Sequence, residues 1–111
     1  MLKQIETDSG LIIEELRFGE GAEAQPFDTV TVNYVGTLAD GREFDRSAKP
    51  VTFMLTQVVK AWQEGVPGMK VGGKRRLIVP PELGYGSRGS PPKIPPDAML
   101  IFEIELVDLP E

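Results

Sequence analysis

Hydrophobic and polar residues alternate along several short segments of the chain. The clearest of these is residues 100–106, where apolar side chains alternate with Glu103 and Glu105, and residues 30–35 repeat the pattern. A period of two is typical of a strand with one buried face and one solvated face. The same reasoning predicts further strands over residues 11–13, 16–18, 43–45, 51–55 and 74–79.

One central segment has the spacing of a short helix instead. Val58, Val59 and Trp62 lie three and four residues apart, which places them on one apolar face of a helix over residues 57–64. Thr56 precedes this segment as a candidate N-cap, and a glycine follows it. Several successive strands with one short helix predict an α+β fold, in which a mostly antiparallel sheet folds over the helix.

Residues 80–97 follow neither pattern. They contain six of the ten prolines and three glycines, and they show no periodicity. A connection of this length in a small domain is usually either functional or disordered. Because proline restricts the backbone and Leu83, Tyr85 and Ile94 supply apolar anchors, we expect an ordered flap.

The length and composition limit the chemistry. A chain of 111 residues predicts a single domain over residues 1–111, with residues 1–10 as an N-terminal strand or an extension. Histidine and cysteine are both absent, which excludes Ser–His–Asp and Cys–His catalysis, thiol redox chemistry and the usual zinc sites. We therefore predict neither a metal nor a cofactor. An enzyme built on this chain must use carboxylates, hydroxyls, lysines, backbone groups or shape.

The net charge of −5 argues against a nucleic-acid partner, since such affinity rests on lysines and arginines that displace counterions. No apolar run approaches the ~20 residues of a membrane span, so we expect no membrane partner. Residues 1–10 carry Lys3, Glu6 and Asp8 and contain no signal-peptide apolar region. The expected location is the cytoplasm, and a mature or excised part of an exported protein is the alternative. We expect a monomer.

Pattern alone assigns the aromatic residues at strand and helix spacings to the core. Tyr34 and Tyr85 can be buried tyrosines with satisfied hydroxyls, and Asp45 can be a turn residue. The basic cluster formed by Lys70 and residues 74–76 is interpreted as a solvated strand edge that discourages pairing between sheets.

A set of motifs resembles, in order, those of the FKBP-type peptidyl-prolyl cis–trans isomerases. A single motif such as IPP is weak, but the ordered set is specific and covers the chain from about residue 11 onward. The motifs are VNYVG (32–36), GREFD (41–45), VKAWQEG (59–65), GMKVG (68–72), PPELGYG (80–86), IPPDA (94–98) and LIFEIEL (100–106).

The resemblance implies a five- or six-stranded antiparallel half-barrel sheet wrapped around one short helix. It implies an isomerase that accelerates rotation about X–Pro bonds in protein folding through an apolar aromatic pocket. Proline-containing polypeptides are the implied partners, and rapamycin-type macrolides are a further class of ligand. The alternative is a non-catalytic module of the same fold that binds proline-containing segments as a chaperone.

The resemblance also assigns roles to individual residues. Trp62 is expected to form the pocket floor, Tyr85 to offer a hydroxyl from the flap, and the Val59 backbone N–H to meet a substrate carbonyl. Asp45 is expected at the rim as the ionised group, with a hydrogen bond from Tyr34 as one possible role. The residues implied in catalysis are Phe44, Asp45, Trp62, Tyr85 and Phe102, and those implied in substrate binding are Tyr34, Val51, Val58, Val59 and Ile94.

Several positions depart from the family pattern. Val51 lies where a phenylalanine is common, so one wall is expected to be thinner, while Phe53 is assigned to the core. Arg46 is a candidate brace for Asp45 in a shortened loop. Lys93 lies where an apolar flap residue is usual.

Overall fold

Seven antiparallel strands and one short helix make up the structure, a computed structural model that describes residues 2–110. The strands are β1 (Lys3–Glu6), β2 (Ile12–Arg17), β3 (Thr29–Leu38), β4 (Glu43–Arg46), β5 (Val51–Met54), β6 (Lys74–Val79) and β7 (Leu100–Asp108). The helix is α1 (Lys60–Gly65), and short 3₁₀ turns cover Leu55–Gln57 and Pro81–Leu83. No helix within residues 2–110 combines the length and the apolar character needed to cross a bilayer.

The strands form one open sheet that is organised around β3. The order is β1-β2-β6-β7-β3-β4, and β5 also pairs with β3. One edge of β3 pairs with β7, while the other edge pairs with β5 along its first half and with β4 along its second half. The predicted α+β class, an antiparallel sheet around one short helix, is confirmed. The sheet has seven strands because residues 3–6 add β1 and because β4 and β5 are separate strands on the same edge.

Two predicted strands merge. Residues 11–13 and 16–18 contribute to the single strand β2, which pairs on one side with β1 and on the other with β6. Phe18 lies beyond the end of β2 and is 59% exposed, so its side chain takes no part in the core.

The helix is shorter than predicted and begins at Lys60. Val58 and Val59 have extended backbone conformations, with ψ angles of 171° and 153°, so they separate the 3₁₀ turn from α1. Branching at Cβ disfavours helix and favours extended backbone, which explains why this pair interrupts the segment. The prediction that Thr56 caps the helix is therefore wrong: Thr56 lies inside the 3₁₀ turn, and Val59 is the N-cap without a side-chain cap.

The helix packs against the sheet through small and aromatic residues. Ala61, Trp62 and Gly65 are buried, and the first two belong to one hydrophobic cluster with Leu77 on β6. At Gly65 the approach is so close that an added Cβ would lie 2.7 Å from a methyl group of Leu77. A larger residue at position 65 would push α1 away from the sheet.

Arg75 ties the end of α1 to the sheet. Its guanidinium group pairs with Glu15 on β2 and donates hydrogen bonds to the carbonyl oxygens of Gly65, at 2.9 Å, and Pro67, at 3.0 Å. Because carbonyls at the end of a helix have no intrahelical donors, this arginine satisfies groups that would otherwise need solvent.

The interpretation of residues 74–76 as a strand edge is wrong, because β6 lies between β2 and β7 in the interior of the sheet. Arg76 pairs with Glu14 on β2 at 2.9 Å and with Glu103 on β7 at 3.3 Å. The basic residues thus form cross-strand ion pairs with acidic neighbours on both sides.

The flap over residues 80–97 is ordered, as predicted. Its backbone is closed by hydrogen bonds from Gly86 N to Pro81 O at 2.8 Å and from Asp97 N to Gly86 O at 3.0 Å. Leu83 and Ile94 are buried and attach the flap to the core. Tyr85, between these anchors, remains 39% exposed.

Replacing Gly65 with alanine tests the close contact between α1 and β6. Alanine normally favours a helix over glycine by roughly 1 kcal/mol, but its Cβ would collide with the fully buried Leu77 side chain. We expect Gly65→Ala to lower the free energy of unfolding by about 1–2 kcal/mol, as overpacked cores do, measured by urea denaturation. Lys60→Ala, on the exposed start of the same helix, is the control and should change stability by less than about 0.5 kcal/mol. Equal or greater stability of Gly65→Ala would contradict the packing described.

Candidate active site

A cavity of about 360 Å³ opens between α1, the strands around β3 and the flap. Its walls come from β3, β4, β5, β7, the segment leading into α1, α1 itself and the flap, so residues distant in sequence converge on it. The residues that line it are Tyr34, Phe44, Asp45, Phe53, Gln57, Val58, Val59, Trp62, Tyr85 and Phe102.

Trp62 forms the floor of this cavity and the centre of an aromatic cluster. Tyr34, Phe53 and Phe102 meet its ring at centroid distances of 5.3, 5.4 and 5.5 Å, with interplanar angles of 82°, 82° and 90°. Edge-to-face contacts of this kind are favourable because the positive ring edge meets the negative ring face. Contacts from three sides therefore hold the indole in one orientation.

Phe44 and Phe102 form a wall across the backbone of β3. Their rings pack edge to face at 5.6 Å, and Gly36 lies directly between them, paired with Phe102 on one side and with Asp45 on the other. A Cβ at position 36 would lie 2.6 Å from the Phe44 ring. Glycine at this point of the VNYVG motif therefore allows both rings to reach the cavity.

The structure differs from the sequence expectation on β5. Phe53, which was assigned to the core, lines the cavity and contacts both Tyr34 and Trp62, whereas Val51 is not part of the lining. Both residues lie on the same face of β5, but the pairing with β3 sets Phe53 opposite Val30 and Val51 opposite Val32. Strand register, which the alternation does not specify, decides which of the two reaches the site.

Gln57 also lines the cavity and was not predicted. Its side chain is exposed on the 3₁₀ turn before α1. The sequence carries no signal for this placement, since a single polar residue beside a helix is most often a solvated surface residue.

The carboxyl group of the site belongs to Asp45, and its partner is Tyr34. The Tyr34 hydroxyl donates to Asp45 Oδ2 at 2.7 Å, and the Arg46 backbone N–H donates to Oδ1 at 2.8 Å. The Arg46 side chain turns away and pairs with Glu43 at 2.8 Å. Arg46 therefore braces the carboxylate through its backbone and not through its guanidinium group.

Both tyrosines stay neutral over the physiological pH range. Burial, followed by the hydrogen bond to Asp45 and the charge of that carboxylate, raises the pKa of Tyr34 to about 12. Burial and the Asp45 charge also raise the pKa of Tyr85. Their hydroxyls therefore remain hydrogen-bond donors near neutral pH.

The remaining predicted residues have different positions. Val58 and Val59 are half-buried and line the cavity, and Val59 is the N-cap of α1, so its N–H is not needed by the helical hydrogen-bond ladder. Ile94, the second anchor of the flap, is buried. It lines an adjacent cavity of about 310 Å³, which shares Phe44, Asp45 and Tyr85 with the first.

The indole N–H of Trp62 is buried and has no hydrogen-bond acceptor within residues 2–110. A buried donor without a partner is uncommon and costs free energy. The cavity floor therefore offers aromatic surface and one buried donor, while its hydroxyls and its carboxylate lie toward the opening.

A curved antiparallel sheet around one short helix, with a tryptophan at the base of an aromatic cavity and a tyrosine-bearing flap above it, defines a domain of the FKBP type. The family model described as FKBP-type peptidyl-prolyl cis-trans isomerase matches residues 20–107. The chain belongs to this family.

Curated relatives support the same assignment. An FK506-binding protein of Neisseria meningitidis serogroup B is 50% identical over 107 residues, which cover 92% of this chain and 98% of that protein. The FKBP-type peptidyl-prolyl cis-trans isomerase FkpA of Escherichia coli K12 is 45% identical over 111 residues, or 96% of this chain. This chain spans only 41% of the length of FkpA and 28% of the FK506-binding protein 4 of Rhizopus delemar.

Solved structures have the same fold. A peptidyl-prolyl cis-trans isomerase from Pseudomonas syringae pv. tomato superposes with a TM-score of 0.93 at 35% identity, covering 100% of this chain and 84% of that one. The crystal structure of FkpA from Escherichia coli gives a TM-score of 0.90 at 42% identity, covering 98% of this chain and 52% of that one.

The raised pKa of Tyr34 can be measured directly, because the chain has only two tyrosines. In Tyr85→Phe, Tyr34 is the sole phenol, and its absorbance change on ionisation should have a midpoint near pH 12 rather than at the ordinary 10.0. Adding Asp45→Asn should lower this midpoint by part of the shift only, because burial, the largest cause of the raised pKa, remains. Because the folded-state pKa is raised, the stability contributed by Tyr34 is complete below pH 10.0 and is lost as the pH rises toward about 12. A midpoint at 10.0 while circular dichroism shows a folded protein would contradict the environment described for the Tyr34 hydroxyl, its partial burial and its hydrogen bond to Asp45.

Proposed function

We propose that this chain is a peptidyl-prolyl cis–trans isomerase that accelerates rotation about X–Pro bonds in other polypeptides. The aromatic cavity carries this proposal. Three aromatic rings pack nearly perpendicular to Trp62 at its floor, and the hydroxyls and the carboxylate lie at its opening. Its apolar walls suit a prolyl ring by shape and contact. Membership of the family supports the same activity.

Rotation about an X–Pro bond requires no bond to be broken. The barrier of ~18–20 kcal/mol arises from the partial double-bond character of the C–N bond, and the uncatalysed exchange takes tens of seconds or longer. An enzyme can lower this barrier without a nucleophile, a metal or a proton acceptor. This requirement agrees with a chain that has no histidine and no cysteine.

The cavity can favour the twisted amide over the planar one. The planar amide is more charge-separated, so transfer from water into an aromatic cavity destabilises it more than the twisted state. Each 1.36 kcal/mol of this difference raises the rate about tenfold. The contribution expected of Phe44, Trp62 and Phe102 is this low polarity together with a shape that holds the ring.

The polar groups at the opening position the substrate backbone. The neutral Tyr85 hydroxyl is suited to donate to a substrate carbonyl, and the Val59 N–H can meet a second one. Asp45, held by Tyr34, places a negative charge beside the rotating amide and orients its dipole. A base has no role, because no proton is transferred when an amide twists.

The partners proposed are proline-containing polypeptides. Rapamycin-type macrolides are a second class of ligand, since several relatives are named FK506-binding protein and the cavity has the aromatic floor to receive an apolar ring. A non-catalytic module would bind the same proline segments without accelerating exchange, so turnover separates the two functions.

Phe102 tests the contribution of the apolar wall. We expect the chain to accelerate cis–trans exchange in an Ala-Leu-Pro-Phe peptide, measured with a protease-coupled assay, and Phe102→Leu to lower kcat/KM about tenfold because one wall of the cavity is lost. Phe18→Leu is the matched control, since Phe18 is exposed and outside the cavity, and its rate should be unchanged. Urea denaturation must show both variants folded at the assay temperature.

Two results would contradict the proposal. Absence of acceleration by the intact chain, together with peptide binding detected through the fluorescence of its single tryptophan, would favour the non-catalytic module. Equal rates for the Phe102 and Phe18 variants would mean that catalysis occurs elsewhere.

The pH dependence of the rate tests the absence of a proton-transfer step. The chain has no histidine, and the pKa values of Tyr34 and Tyr85 are raised, so both stay protonated. We expect kcat/KM to be constant between about pH 6 and pH 9, since a general acid or base would produce a bell-shaped profile. A bell in this range would require a titrating catalytic group and would overturn the mechanism. A non-titrating peptide and a pH-insensitive exchange measurement by NMR serve as controls.

A further inference from the structure

A separate cavity of about 280 Å³ lies at the β1 edge of the sheet, and we call it the β1 cavity. Its walls come from β1, from the end of β2 and the two residues that follow it, from residues 68–70 and from the start of β6. It shares no lining residue with the aromatic cavity. A ligand of the β1 cavity therefore need not be a substrate of the proposed isomerase.

The β1 cavity is open because the core ends at β2. The strand register places Ile5 on β1 opposite Ile13 on β2, so both side chains lie on the same face of the sheet. Ile13 is buried in the core, whereas Ile5 is 44% exposed. Two residues along the same face, Lys3 lies opposite Glu15, and Glu15 lies opposite Arg75 on β6. All of β1 is exposed, so no element of the described chain covers this face of the strand.

The lining of the β1 cavity has an excess of positive charge. Glu15, its one carboxylate, is paired with Arg75, so these two charges balance each other. The other charged residues of the lining are Lys3 and Lys70. Among the described residues, no carboxylate lies within 4.0 Å of either ammonium group, and this includes Glu23, whose backbone pairs with that of Lys70. Two positive charges thus remain for a ligand in a protein of net charge −5.

Two exposed apolar side chains line the same cavity. Phe18 is 59% exposed and Ile5 is 44% exposed, and neither belongs to the core cluster. A single exposed apolar residue is ordinary on a protein surface, but here an aromatic ring and an isoleucine adjoin two unpaired lysines. The volume is below the roughly 300–1,000 Å³ typical of sites for drug-sized ligands. The β1 cavity therefore suits one side chain of a polypeptide better than a cofactor.

We propose that the β1 cavity binds an acidic segment of a partner polypeptide in which carboxylates flank an aromatic residue. The aromatic side chain contacts Phe18 and Ile5, and the flanking carboxylates pair with Lys3 and Lys70, which come from two different walls. This charge complementarity favours encounter with acidic segments and disfavours basic ones. The inference goes beyond the proposed isomerase function and does not depend on it.

The test uses a proline-free peptide, acetyl-Ser-Glu-Phe-Glu-Ser-amide, titrated into the intact ¹⁵N-labelled chain and followed by NMR. We expect saturable shifts of the amides of Gly19, Gly68 and Gly73, which line the β1 cavity, while Gly36 beside the aromatic cavity stays in place. Gln in place of both Glu residues should weaken binding about tenfold, since each exposed ion pair provides about a factor of three. In about 1 M salt this difference should disappear, because exposed charges are screened. Ala in place of Phe should weaken binding about fivefold, because the apolar contact is lost.

Substitutions of the two lysines identify the contacts. Lys3→Gln and Lys70→Gln should each weaken the Glu peptide about threefold and leave the Gln peptide unaffected. Lys49→Gln is the matched control, since it makes the same change of net charge at an exposed position outside the β1 cavity, and it should leave both affinities as in the unmodified chain. All three lysines are exposed, so the variants should fold. The comparison separates a local contact from the overall charge of the protein.

Several results would overturn the inference. These are the absence of saturable shifts at several millimolar peptide, equal affinities of the Glu and Gln peptides or of the Phe and Ala peptides, and an equal loss in Lys49→Gln. Displacement of the peptide by an equal concentration of inorganic phosphate would assign the lysines to anions in general and reject the polypeptide. None of these results bears on the proposed function, because binding at the β1 cavity is measured without a proline and isomerisation is measured without an acidic peptide.

Discussion

The attachment of one six-residue helix to the sheet is the constraint on which the site depends. A helix of this length is not stable alone, since nucleation is costly and six residues provide too few hydrogen bonds. Its position comes from the buried contact of Gly65 with Leu77 and from Arg75, which donates to the carbonyls at the helix end while it pairs with Glu15 on β2. Because α1 carries Trp62, these contacts far from the opening set the depth and orientation of the cavity floor.

The aromatic rings that pack around Trp62 give the cavity above α1 a defined shape. Three rings meet Trp62 edge-on, and Gly36 leaves room above β3 for Phe44 and Phe102 to meet each other. The indole N–H of Trp62 has no acceptor within residues 2–110, so the floor of the cavity carries one polar atom within an otherwise aromatic surface.

The alternation of residues predicts β3 and β7 well, because each of these strands has one fully buried face that the period of two reports. The sequence-based predictions fail where pairing between strands that are distant in sequence decides which residues meet. Val51 and Phe53 share a face of β5, and only the register against β3 brings Phe53 to the cavity. The basic composition of residues 74–76 suggests an edge strand, but the strand order β2-β6-β7 places them in the interior of the sheet. The start of α1 is later than predicted for a local reason, because Val58 and Val59 have extended backbones. The helical spacing of the apolar residues does not reveal this break.

The carboxylate and the hydroxyls of the site lie toward its opening. The floor therefore supplies apolar surface, and the rim supplies the polar groups. In the proposed isomerase, the low polarity of the floor acts on the amide, and this effect depends little on which residues flank the proline. At the rim, the Tyr34–Asp45 pair fixes one negative charge in place, and the raised pKa of Tyr34 keeps that pair intact across neutral pH. In the proposed isomerase, discrimination between substrates falls to rim groups outside this pair, among them Tyr85 on the flap and Gln57 on the 3₁₀ turn. A flap fastened by Leu83 and Ile94 but exposed between them can change its side chains without disturbing the aromatic floor, so selectivity can vary independently of catalysis on this fold.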